Sequence, residues 1–122
     1  MFINDLLVRE LADGKKELRL PLIYEYDNGK DFVVPLGFKT DYASIPRLPI
    51  VYLLFNGIAP RAATLHDFLY SSPNVSRHTA DSLFLRAMLE EGTLKWKAEM
   101  AYWAVRVFGG YIRKKTYGIS LC

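Results

Sequence analysis

Across the segment 17–26, apolar side chains recur at every second position, at Leu18, Leu20, Leu22, Tyr24 and Tyr26, with Glu17, Arg19 and Glu25 on the opposite phase. A period of two is that of a half-buried strand. Asp13-Gly14 and Asn28-Gly29 tolerate the positive φ of tight hairpin turns, so strands near 5–11, 16–26 and 31–38 are predicted to form an antiparallel β-meander. Pro35, inside the third run, marks an edge or a bulge, because it has no N–H to give to a ladder.

After Thr40 the period becomes helical. Pro46 and Pro49 make Ile45 to Phe55 a loop leading into a short helix near 47–55, stopped by Asn56-Gly57. Pro60 suits the first turn of a helix over 60–70 whose apolar face is Ala62, Leu65 and Leu69. Ser71, Ser72, Pro73 and Asn74 form a turn, and Ser76 is placed to cap a helix over 77–91 that buries Ala80, Leu83, Phe84, Ala87 and Met88. Gly92 ends it. Thr93 is predicted to cap a third helix, 93–108, with Trp96, Met100, Trp103, Ala104, Val107 and Phe108 as its buried stripe and Gly109-Gly110 as its stop. The fold class is α+β, an N-terminal antiparallel meander packed against a helical part that contains an antiparallel helix hairpin.

Composition narrows this picture. With 122 residues, 51% hydrophobic and 24% charged, the chain suits one domain, 1–122, around one core. Its one cysteine, Cys122, excludes an internal disulfide framework and a cysteine zinc cage. Leu48 to Phe55, the longest apolar run, contains Pro49 and falls far short of the ~20 residues of a membrane span, so no transmembrane segment is expected. The start of the chain lacks a basic stretch followed by an apolar run, so synthesis and folding in a reducing cytoplasm are expected. Sixteen Lys and Arg against thirteen Asp and Glu leave +3, too little to predict a nucleic-acid partner. The excess is local, since residues 93–122 hold six basic residues and one acid, Glu99. Arg113, Lys114 and Lys115 suit a solvated helix C-terminus, and an acidic partner surface is the alternative.

The candidate chemistry lies on helix 60–70, where His66, Asp67 and Tyr70 interrupt a core-facing pattern. His66 shares the apolar face, and Tyr70, one turn on, is its neighbour. Only six residues, 71–76, link this helix to the next, so the two should run antiparallel. Reflection about the linker puts His66 level with Asp81, and Tyr70 level with Arg77. An imidazole nitrogen of His66 is therefore expected roughly 2.6–3.2 Å from the Asp81 carboxylate, which would fix its tautomer and raise its basicity. Such a pair can equally be a hydrogen-bonded structural element. A second polar cluster, Asp41, Ser44 and Arg47, sits where strands give way to helices and could add a carboxylate, a hydroxyl and a cation around His66. Asp41 and Ser44 also suit plain turn and cap roles.

Several motifs occur in order: Phe38-Lys-Thr-Asp41-Tyr-Ala-Ser44-Ile-Pro46-Arg47, Ala63-Thr-Leu-His66-Asp67-Phe-Leu-Tyr70, Arg77, Ala80-Asp81, and Tyr102 with Val105-Arg106-Val-Phe108-Gly109. Together they resemble the phage and prophage family known as domain of unknown function 1353. The resemblance implies a small bacteriophage- or prophage-encoded protein and supplies no activity. Locally, His66, Asp67, Tyr70 and Asp81 also resemble the His-Asp-x-x-Tyr helix pair of phospholipases A2. That resemblance implies His66 as base for an attacking water, Asp67 as calcium ligand, and Asp81 and Tyr70 as orienting groups. Asn56-Gly57-Ile58-Ala59 departs from the glycine-rich calcium loop of those enzymes.

Two main functions follow as expectations. One is a hydrolase of lipid or cell-envelope esters or amides. In it His66, Asp81 and Tyr70 are catalytic, and Asp41, Ser44, Arg47 and Arg77 contact substrate or stabilise charge. Asp67 with Asp41 would hold one divalent metal ion. The other is a non-catalytic virion tail or assembly component, contacting a phage or host-cell protein surface, in which the same cluster is structural. A third, minor expectation is an intracellular effector that binds a host protein or a small anionic ligand, with Arg47 and Arg77 as its cation clamp.

Overall fold

The computed structural model describes residues 1–27, 29–40 and 60–117, apart from the side chains of Asp27 and 108–117. Its elements are β1 (Val8–Glu10), β2 (Lys16–Leu18), β3 (Leu22–Asp27), β4 (Lys30–Val34), β5 (Lys39–Thr40), α1 (Pro60–Tyr70), α2 (Arg77–Glu90) and α3 (Lys95–Tyr117). Strands precede helices, as α+β requires. The predicted helix at 47–55 lies outside the described residues, as do Asp41, Ser44 and Arg47.

The strands form two small antiparallel sheets rather than one meander: β1-β2-β5 and β3-β4. The expected strand 16–26 is cut at Arg19 to Pro21. Pro21 has no N–H, so the ladder cannot run through it. Beyond it the side chain of Asn4 takes over, donating to Pro21 O at 2.7 Å and accepting from Ile23 N at 3.0 Å. Leu18, Leu22 and Tyr24 are buried as the alternation predicts, whereas Leu20, at the break, is exposed. Pro35 likewise ends β4, and the chain turns through Gly37 (φ 88°), with Phe38 N donating to Pro35 O at 3.1 Å, to lay β5 on β2.

Both ends of α2 follow the sequence. The Ser76 hydroxyl accepts from Thr79 N at 3.1 Å. At the other end Gly92, at φ 93°, lets its own N–H reach Leu89 O and that of Thr93 reach Met88 O, which satisfies two terminal carbonyls. The Thr93 hydroxyl is buried with no hydrogen-bond partner among the described residues, so Thr93 does not cap α3, which begins two residues later at Lys95. Nor does α3 stop at Gly109-Gly110; it continues to Tyr117.

The core joins Leu18, Leu22, Tyr24 and Val34 of the sheets to Leu65 and Leu69 of α1 and to Phe84 and Met88 of α2. α1 and α2 pack as the expected hairpin, and α3 covers α2. On α3 the buried residues are Ala98, Ala101 and Val105; Trp96, Met100, Trp103 and Val107 are exposed. The predicted stripe is therefore on the wrong side, with only Ala104 half-buried and Phe108 outside the described side chains. Small residues let two helix backbones approach closely, and polar contacts between α2 and α3, given below, fix the rotation.

Candidate functional site

α1 and α2 carry the site because their hairpin brings residue 66 level with residue 81. His66 Nε2 lies 2.8 Å from Asp81 Oδ1, inside the interval expected from the sequence. Tyr70 OH donates to the same oxygen at 2.6 Å. From α3, Arg106 Nη1 donates to Asp81 Oδ2 at 2.9 Å, and Arg77 Nη1 stands 3.9 Å from it. Arg77 Nη1 also donates to the carbonyls of Arg106 at 2.9 Å and Val105 at 3.4 Å, so α2 grips the α3 backbone beside the ion pair.

The pair is deeply enclosed: His66 is 3% and Asp81 0% exposed. Phe84 stacks on the imidazole at 4.5 Å between centroids, and the Tyr70 ring lies tilted against it at 4.2 Å. Burial pushes the Asp81 carboxyl up, but hydrogen bonds from His66, Tyr70 and Arg106, together with the nearby positive charge, hold it below its ordinary value. Burial, followed by the bond to Asp81, raises the Tyr70 phenol, which keeps it a proton donor. An ionised carboxylate can only accept, so the hydrogen between His66 and Asp81 belongs to Nε2. In the neutral imidazole the lone pair is then on Nδ1.

Asp67 is placed by a different contact, accepting from Thr40 Oγ1 of β5. Among the described residues no three His, Cys, Asp or Glu side chains converge on one point, and Asp41 lies outside them. The described residues therefore do not assemble a cation site around Asp67. Tyr70, expected level with Arg77, does have that guanidinium beside it, and its hydroxyl donates to Asp81.

Two polar anchors of the helices were not among the predicted site residues, and only the first touches Asp81. Arg106 completes the Asp81 site from a third helix; the sequence offers it inside the Val105-Arg106-Val-Phe108-Gly109 motif, as a cation in an otherwise apolar stretch, with nothing local to tie it to Asp81. Arg61 forms a bidentate pair with Glu91, at 2.6 and 2.5 Å, and donates to Asn4 O at 3.0 Å, which ties α1 to the end of α2 and to the N-terminal segment.

The family model described as "Protein of unknown function (DUF1353)" matches residues 16–105, a span that contains β2 to β5, leaves out β1, and holds every member of the His66–Asp81 site except Arg106. The chain belongs to that family. It is also similar to the uncharacterized protein y4jT of Sinorhizobium fredii (strain NBRC 101917 / NGR234), 32% identical over 102 residues. That alignment takes in 80% of this chain but 30% of the relative, so a DUF1353 chain of this size corresponds to one part of y4jT. No solved structure matches the chain.

Proposed function

We propose that this DUF1353 protein is a hydrolase in which His66 is the general base and Asp81 and Tyr70 hold it in position. The observation that carries the reading is the bond from His66 Nε2 to an ionised, fully buried Asp81, which leaves Nδ1 as the basic nitrogen. In the reaction a water oxygen bonds to a carbonyl carbon while its proton passes to His66 Nδ1. The imidazolium then gives that proton to the departing alkoxide or amine as the C–O or C–N bond breaks. The paired Asp81 stabilises the imidazolium between these steps. The substrate class is lipid or cell-envelope esters or amides, in keeping with the local resemblance to phospholipases A2 and with a phage or prophage setting. Asp41, Ser44, Arg47 and Arg77 are candidates for substrate contacts.

The test is release of free carboxylate from phospholipid and peptidoglycan preparations by the wild-type chain and by His66→Ala. The proposal expects release by the wild type and none by a folded His66→Ala. No release by the wild type from either substrate, or undiminished release by the variant, overturns it.

The near-complete burial of His66 and Asp81 favours one other reading, a structural lock inside a virion tail or assembly component. On that reading His66→Ala costs stability and changes no reaction, and the protein is found in purified particles.

A further inference from the structure

α3 is amphipathic with its larger side chains turned outward. Trp96, Met100, Trp103 and Val107 are 58, 39, 62 and 69% exposed. Their spacing of four, three and four residues puts them on one face of the helix, opposite the buried Ala98, Ala101 and Val105. A contiguous apolar strip of this kind on a soluble surface marks an interaction site. Both tryptophans of the chain are on it.

The surrounding charge identifies the occupant. α3 carries Lys95 and Lys97 against one acid, Glu99, and its sequence adds Arg113, Lys114 and Lys115, whereas Arg106 is held by Asp81. The Lys97 ammonium lies 5.6 Å from the Trp96 ring centroid, at the edge of the strip. Helices with Trp and aliphatic residues on one face and Lys and Arg beside them lie in the headgroup region of anionic bilayers. A second copy of this chain fits worse, because a two-fold pairing sets the same basic helix against itself. α3 is not apolar enough to cross the bilayer.

We propose that the outer face of α3 docks this protein flat on an anionic lipid surface, with Trp96 and Trp103 entering the headgroup layer. The docking uses neither His66 nor Asp81 and stands apart from the hydrolase reading.

The experiment mixes the full chain with vesicles of phosphatidylcholine alone and with vesicles that also carry phosphatidylglycerol, and follows tryptophan emission and co-sedimentation. The expected result is a blue shift and sedimentation with the anionic vesicles, at least about tenfold weaker binding to the neutral ones, and loss of binding in high salt. Trp96→Ser and Trp103→Ser should each weaken binding, and Lys95→Glu with Lys97→Glu should reduce it on anionic vesicles alone. His66→Gln should bind like the wild type, which keeps this outcome separate from any loss of hydrolysis. Absence of binding to anionic vesicles overturns the proposal. So does emission that is already blue in buffer and unchanged by vesicles: if it shifts to the red on dilution a second copy covers the face, and if it does not another part of the same chain does.

Discussion

Arg106 of α3 reaches Asp81 of α2 at 2.9 Å, and through that contact the catalytic candidate and the packing of the last helix become one feature. Asp81 Oδ1 serves α1 through His66 and Tyr70, while Oδ2 serves α3. One buried carboxylate thus sets the positions of three helices.

Removing that carboxylate should be expensive. Asp81→Ala leaves His66, Tyr70 and Arg106 facing one another without an acceptor, and loss of one partner from a buried ion pair costs about 3–5 kcal/mol. Urea unfolding of the variant should show a loss of that order. A loss comparable to that of an exposed substitution would mean that the network does not hold the helices.

Acid should remove the same contribution. The Asp81 carboxyl is held below its ordinary value of 3.8 in the folded chain. Between the folded value and 3.8 the unfolded chain binds more protons, so stability rises with pH through that window and is fully present above it. As pH falls through the folded value it is lost. Wild type should therefore exceed Asp81→Asn in melting temperature at neutral pH, and the gap should narrow at about pH 2. A gap that is constant with pH would contradict an ionised Asp81.

Gly92 and Thr93 give a paired test at the α2–α3 joint. Gly92 sits at φ 93°, so Gly92→Ala should cost about 1 kcal/mol through backbone strain although nothing crowds the new methyl. Thr93 Oγ1 is buried and has no hydrogen-bond partner among the described residues, so Thr93→Val should be neutral or stabilising. Thermal melts of the two variants should move in opposite directions or differ clearly in size. Equal losses would contradict this account of the joint.

Local rules carried the sequence reading a long way. A six-residue linker and matched helical rise were enough to level His66 with Asp81, and Ser76 and Gly92 announced the ends of α2 by their chemistry. The strands failed where one residue, Pro21, outweighed a continuous alternation. α3 failed for a different reason. Its periodicity is genuine, but a hydrophobic stripe does not say which side faces the core. Here Ala98, Ala101 and Val105 pack inward while Arg106 and Arg77 anchor the helix, and the stripe of Trp96 and Trp103 faces out. Arg106 was not legible as a site residue, because its partner is 25 positions away on another helix.

The central claim, that Asp81 fixes His66 as a base with its lone pair on Nδ1, is tested most directly by ¹⁵N NMR of the His66 ring in the 122-residue chain. The measurement needs no substrate. In the neutral imidazole the account predicts the proton on Nε2 and an unprotonated Nδ1, with this preference weakened in Asp81→Asn. A neutral ring that carries its proton on Nδ1 in the wild type would contradict it, because the nitrogen assigned to accept the proton of water would then have none of the required basicity.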